Sequence, residues 1–270
     1  MKILSLLFTF YIRSSIHVSV AVTSLAGVTL LEFGYPLNFF LLLFVFLGTI
    51  VGYNFVKYAG ISNLHHLENT PNIRLIQWFS VICFPALIYV SFQLSSEVLI
   101  AGASCGAFTL LYALPIYNGR NLRSLSGVKI FVIALVWAGS TVVIPLITHE
   151  EILSLPVILK FVEHFLFVSV LMLPFEIRDL KYDPHHLNTL PQVYGVIKTK
   201  RFGASLLLLM LFLKLISHQN GIDFLVMTGV VVLTLLFLFK STENQRRYFA
   251  SFWIEGIPVF WFVILYLVKS

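Results

Sequence analysis

Three carboxylates stand close together in one basic stretch: Glu176, Asp179 and Asp183, within Glu-Ile-Arg-Asp-Leu-Lys-Tyr-Asp. On a continuous helix the positions i, i+3 and i+7 fall within an arc of about 60°, so the three acids share a face while Arg178 and Lys181 point elsewhere. Like charges held side by side repel unless a cation joins them, and an all-oxygen donor set suits Mg²⁺. The plainer reading is a solvated helix end of mixed charge, and spacing alone leaves both open. Pro184 drives the residue before it out of the α region, which puts Asp183 at a helix boundary. His65, His66, His185 and His186 form a second candidate set, because imidazole with carboxylate suits zinc and other transition metals. Adjacent histidines seldom converge on one ion, however, and polar residues at a membrane surface account for them equally simply.

Such residues need elements to hold them, and the composition says which kind. Of 270 residues, 59% are hydrophobic and only 11% charged, against roughly a quarter charged in soluble domains. The solvent for most of this chain is lipid. A helix needs about 20 mostly apolar residues to cross the hydrocarbon, with every backbone polar group satisfied inside the span. Transmembrane β-strands alternate apolar and polar residues, whereas 37–46 and 206–213 are almost unbroken apolar runs. An all-α integral membrane protein is expected. Polar and Gly/Pro-marked breaks give nine spans, about 14–32, 37–56, 75–94, 97–115, 128–147, 155–174, 202–217, 222–240 and 249–268. They form a single polytopic domain over 1–270. Residues 2–13, closed by Arg13 without a small-x-small cleavage pattern, read as a retained lead-in to the first span.

Charge orients the spans. Lys2, Arg13, Lys57, Arg74, Arg120, Arg123, Lys129, Arg178, Lys181, Lys198, Lys200, Arg201, Lys240, Arg246 and Arg247 fall on the N-terminal side, leaving Lys160, Lys214 and Lys269 for the other. Lys and Arg in excess mark cytoplasmic loops. The N-terminus is therefore expected in the cytoplasm, the C-terminus outside, and the protein in the cytoplasmic membrane. The net charge of +6 is then a matter of topology, and lipids, not nucleic acid, are the expected surroundings. Acids collect on the opposite side, at Glu32, Glu97, Glu150, Glu151 and Asp223.

Only 57–74 and 175–201 are loops long enough to hold a site, and both are cytoplasmic. Asn63-Leu64-His65-His66-Leu67 in one echoes Asp183-Pro184-His185-His186-Leu187 in the other, at an offset of 120 residues, as a parallel repeat would. Inside the spans, Glu163 and His164 beside Lys160 are either a functional group or an interfacial pairing. His17 with Ser14, Ser19 and Thr23 makes a polar stripe, read as a helix contact or a groove wall. Glu255 is expected to snorkel or pair with a basic neighbour, and Cys83 and Cys105 to pack.

The run from Glu176-Ile177-Arg178-Asp179 through Asp183 to Thr189-Leu190-Pro191 resembles the second aspartate-rich motif of the UbiA superfamily of intramembrane prenyltransferases, D-x-x-D-x-x-x-D followed by T-L-P. Leu111-Tyr112-Ala113-Leu114-Pro115, with Arg120, Arg123 and Lys129, resembles that family's loop after its fourth helix. The resemblance covers most of the chain. It implies a nine-helix UbiA-type bundle in which carboxylates of two loops hold Mg²⁺ and, through it, a prenyl diphosphate. It implies also an apolar groove for the isoprenoid tail and transfer of the prenyl group to a lipid or aromatic acceptor. Carried over residue by residue, Glu176, Asp179 and Asp183 are metal or diphosphate ligands. Arg123, Lys129 and Lys181 contact phosphate oxygens, and Asn54 begins what is left of the first motif.

That first motif, N-D-x-x-D-x-x-x-D, is otherwise lost. Phe55, Tyr58 and Ser62 stand where its aspartates belong, and Lys57 puts positive charge where a metal would be repelled. Two readings follow. One is an active prenyltransferase that relies on its second loop; the other is a catalytically degenerate relative that binds an isoprenoid or quinone, or supports a complex. A secondary transporter would carry charge near the bilayer midplane, whereas this sequence gathers it at one rim.

Overall fold

The computed structural model describes residues 2–58, 73–114, 128–149, 152–182, 187–217 and 221–269. They fold into α1 Lys2–Arg13, α2 Ile16–Glu32, α3 Phe39–Tyr58, α4 Ile73–Ser91, α5 Ser96–Ala113, α6 Val128–Leu146, α7 Leu155–Asp179, α8 Leu190–Ile216, α9 Gly221–Lys240 and α10 Phe249–Lys269. No strand occurs among the described residues, so the all-α class holds.

The helix most enclosed by the others is α2. Val18, Ala21, Val22, Leu25, Ala26 and Val28 are buried around its whole circumference, where α3, α10 and the middle of α6 pack on it. A helix apolar all round belongs inside a bundle. Helix α7 packs between α6 and α8, α9 lies against α8 and α10, and α4 lies on α3. Trp78, Phe92, Leu225 and Leu267 turn outward and are exposed. Their partner is lipid.

Among the described residues seven helices, α3 to α7 with α9 and α10, are long and apolar enough to cross a bilayer, or eight if α1 and α2 make one bent span. The sequence reading gave nine. Two of its spans fall short for local reasons. The span expected at 14–32 breaks at Ser15, whose φ of 64 is left-handed, and the 17-residue α2 leaves at 54° from α1. The span expected at 202–217 is the second part of α8, a 27-residue helix that also carries Lys198, Lys200 and Arg201.

The second long loop is likewise shorter than expected. Helix α7 continues through Asp179, and Thr189-Leu190-Pro191 is the start of α8, with Gln192 Oε1 accepting the Thr189 N–H at 3.0 Å and Pro191 in the first turn. Hydropathy marks where lipid ends, not where a helix ends. Gly195, at φ 80, then bends α8.

The two ends of the bundle differ. Arg13, Lys57, Lys129, Arg178 and Lys181 lie at the end that carries the candidate loops. At the other end, Lys160 Nζ donates to Glu32 Oε2 at 2.8 Å and to Glu163; Lys214 pairs with Glu32 and lies 3.8 Å from Glu163 Oε2. These four side chains are at most 4% exposed. Lys269 pairs with Asp223 at 2.8 Å and donates to Leu31 O at 3.0 Å. The three cations assigned to this side thus meet Glu32, Glu163 and Asp223 inside the protein, and the pairing reading of Glu163 holds.

Of the polar stripe of the first span, His17 makes contacts with other helices, and Thr29, further along α2, makes another. His17 Nε2 meets Phe252 O at 2.9 Å, His17 Nδ1 meets Tyr11 Oη at 2.9 Å, and Thr29 Oγ1 donates to Thr141 O at 2.7 Å. That carbonyl lies in a π-helical turn, Gly139–Val143, where a widened backbone presents it sideways. Cys83 is buried and Cys105 half-buried, both free thiols.

Candidate active site

The last turns of α7 carry the second motif. Glu176 is buried, with Oε1 3.8 Å from Lys129 Nζ at the start of α6. One turn on, Asp179 receives a two-point contact from the neighbouring Arg178, Nε to Oδ1 at 2.7 Å and Nη2 to Oδ2 at 3.1 Å. Lys181 is exposed and donates to Asn244, in the turn before α10. Gln245 of the same turn donates to Pro174 O at 3.2 Å. Asp183, Arg123, Ser62 and the histidines His65, His66, His185 and His186 lie outside the described residues, as does the 63–71 half of the repeat.

The residues of the altered first motif are not vacant. Asn54 Nδ2 donates to Ser14 O at 2.9 Å and to Ser80 Oγ at 2.8 Å. Lys57 Nζ donates to Ser15 Oγ at 3.0 Å, and Tyr58 Oη to Arg13 O at 3.0 Å. All three converge on the break between α1 and α2, where helix ends expose carbonyls that need donors. The motif positions have become a clasp that fixes α1 against α3. Asn54, which the resemblance offers as a substrate contact, joins the clasp through its amide N–H groups.

Lys57 and Arg178 lie within Coulombic reach of each other, and Glu255 of α10 lies within reach of both and of Tyr53 and Tyr11. Tyr53 Oη accepts the Trp137 indole N–H at 2.6 Å, and Lys57 Nζ stands 5.6 Å from the Tyr53 ring centre. The Arg178 guanidinium lies 5.2 Å from the Phe175 ring. Glu255 is half-buried, with the charges of Lys57 and Arg178 near enough to act on it. As the one acid in α10, it carried a signal, because an ionisable residue in an apolar span is a site candidate by default. Tyr53 and Trp137 carried none, since their pairing joins residues 84 apart.

An apolar groove of about 580 Å³ runs between α5 and α6, lined by Ile100, Phe108, Leu135, Val143 and Phe161. A hard divalent cation takes an oxygen shell of six or more, usually with carboxylates among its ligands. Among the described residues no group of three or more His, Cys, Asp or Glu is placed to hold a metal. Glu176 and Asp179 each face a fixed cation, and the opposite wall contributes Lys57. The described donors therefore do not complete a Mg²⁺ site shared by two acidic walls.

Comparison with solved structures places this architecture. A UbiA homologue from Archaeoglobus fulgidus, bound to GPP and Mg²⁺, superposes with a TM-score of 0.65 at 11% identity, over 97% of this chain and 99% of that one. A digeranylgeranylglyceryl phosphate synthase gives 0.58 at 15% identity, over 96% and 97%, respectively. A further structure of a UbiA homologue from Archaeoglobus fulgidus gives 0.56 at 11% identity, over 97% and 96%. No family model matches the sequence, and no curated protein matches it. The chain is an integral membrane helical bundle. Its fold is the UbiA fold along nearly its whole length, as the second motif and the spacing of its loops led us to expect.

Proposed function

We propose that this chain is an intramembrane prenyltransferase of UbiA type. It works as one polytopic unit in the cytoplasmic membrane, with its N-terminus and its site on the cytoplasmic side and its C-terminus outside. A prenyl diphosphate places its diphosphate between the end of α7 and α3, and its tail in the groove between α5 and α6. The carbon–oxygen bond to diphosphate breaks with both electrons leaving on oxygen. The resulting allylic cation is captured by a lipid or aromatic acceptor, which then releases a proton.

The observation that carries this reading is the Glu176–Asp179 face at the inner end of α7, in a fold whose Archaeoglobus fulgidus relative binds GPP and Mg²⁺. Lys129, beside Glu176, is a contact for phosphate oxygens. Arg123 and Asp183 belong to the same set, and Lys181 acts from the rim. Asn54 belongs to the substrate-binding set too, and its amide N–H groups also hold the break between α1 and α2. Tyr53 and Trp137, hydrogen-bonded to each other, help keep water from the allylic cation. Mg²⁺ enters as a variable of the assay.

The test is turnover by purified protein in detergent, with labelled prenyl diphosphates of several lengths, lipid and aromatic acceptors, and Mg²⁺ present or chelated. Product that falls at least tenfold in Asp179→Ala supports the proposal. A broad panel that yields neither product nor diphosphate binding overturns it. One observation favours a second reading, a catalytically silent isoprenoid- or quinone-binding relative: Asn54 and Tyr58 of the first motif hold a clasp, and the two described acids of the second, Glu176 and Asp179, each have a cation beside them. Ligand binding without product from any acceptor would select that reading.

A further inference from the structure

Between α8, just past its bend at Gly195, and the turn that joins α9 to α10 lies a pocket of about 380 Å³, lined by Val196, Lys200, Ser241, Thr242, Glu243 and Asn244. Lys200 Nζ donates to Phe239 O, in the last turn of α9, at 2.9 Å. That bond fixes the ammonium at the junction of two helices and uses one of its three donors. Further cations surround it. Lys198 and Arg201 flank Lys200 on α8, Lys240 ends α9, and all three are exposed. Among the described residues none of these three meets an acid. Glu243 is the one acid that lines the pocket.

Both helices turn apolar side chains outward next to this basic rim. On α8, Phe202 and Leu209 follow Arg201; on α9, Val232, Leu236 and Phe239 precede Lys240, and all five are exposed. Arg201 to Leu209 and Lys240 to Val232 each cover about 12 Å along a helix axis. The two helices pack closely here, since a Cβ on Gly203 would meet Leu238 at 2.8 Å. A charged head over two apolar strips is the chemistry of a phospholipid, and the surplus of cations sets the sign of that head. Basic pockets between membrane helices take anionic headgroups. The guanidinium fork of Arg201 and the ammonium of Lys200 both suit phosphate oxygens.

We infer that the junction of α8 and α9 binds an anionic phospholipid of the adjoining leaflet. Its phosphate lies at Lys200 and Arg201, and its acyl chains run along Phe202, Leu209, Leu236 and Phe239. Glu243 accepts from the hydroxyls of a glycerol headgroup. The site is independent of the prenyl-diphosphate reading, because none of these residues belongs to either motif.

The test is native mass spectrometry of the delipidated full chain in detergent, titrated with phosphatidylglycerol, phosphatidylethanolamine or phosphatidylcholine of the same acyl length. Phosphatidylglycerol should bind about fivefold more tightly than either zwitterionic lipid. The double variant Lys200→Gln with Arg201→Gln should bring the three lipids within about twofold of one another. Arg246→Gln with Arg247→Gln removes the same charge from exposed residues and should leave the preference intact. An equal loss there would mean diffuse surface charge and overturns the assignment. Displacement of the bound lipid by millimolar inorganic phosphate, at matched ionic strength, would make this a free-phosphate site and overturns it too. Thermal melting checks the fold of each variant, while the comparison of lipids on the parent needs no variant. Equal binding of all three lipids by the parent, or a preference for phosphatidylethanolamine, overturns the inference.

Discussion

At the residue scale, the arrangement with the largest stake in stability lies far from the proposed site. Lys160 holds Glu32 and Glu163 at once, and its side chain is fully buried. Removing one partner from a buried ionic set leaves charge uncompensated and costs about 3–5 kcal/mol, whereas removing opposite charges together costs less. Lys160→Met should therefore lower the melting temperature in detergent markedly. The double variant Lys160→Met with Glu163→Leu, which leaves Glu32 paired with Lys214, should recover much of the loss. Equal losses in the two would show that packing, not charge, is what Lys160 supplies. At the other end, Tyr58→Phe removes only the donor to Arg13 O. Its expected cost is about 1 kcal/mol, visible as a small drop in melting temperature and as faster proteolysis within α1.

At the element scale, the clasp and the α7–α8–α9 contact decide how the site is held. Gly203 lets α8 sit close to its neighbours; a Cβ there would meet Leu173 of α7 at 2.6 Å and Leu238 of α9 at 2.8 Å. Gly203→Val should cost about 1–3 kcal/mol by overpacking. At Gly48 a Cβ would meet nothing within 4 Å, so Gly48→Ala should leave the melting temperature unchanged or raise it. A Gly203→Val protein as stable as the parent would mean that α8 can slide, and with it the basic turn leading from Lys198. The elements also show how far periodicity reaches. The apolar run predicted α3 and α9 to within a few residues, because both leave the lipid close to where the helix stops. It missed the true ends of α7 and α8, because their last turns are held by hydrogen bonds and by Thr189 and Pro191, not by lipid.

At the scale of the whole molecule, the charges sort by end. The basic residues of the candidate loops crowd one end, and the other end neutralises its three lysines internally. With the positive-inside preference, a periplasm-active enzyme reporter joined after Ser270 should be active outside and silent in the cytoplasm. The reverse result would overturn the proposed orientation, and with it a cytoplasmic site. The fold matches that of a UbiA homologue bound to GPP and Mg²⁺ over 97% of the chain while the two share 11% of their residues.

The sequence by itself determined the lipid solvent, the all-α class, the clustering of basic residues and the shared face of Glu176 and Asp179. Each follows from composition or from the 3.6-residue period, which are local properties. Only the tertiary structure decided what became of the first motif, what Glu255 faces and where Lys160 and Lys214 find their acids. Asn54 to Ser14 spans 40 residues, Lys160 to Glu32 spans 128, and Lys269 to Asp223 spans 46. A charged or amide side chain in the interior takes whichever partner the packing brings within about 3 Å, and that partner is set by helix placement, which no local pattern encodes.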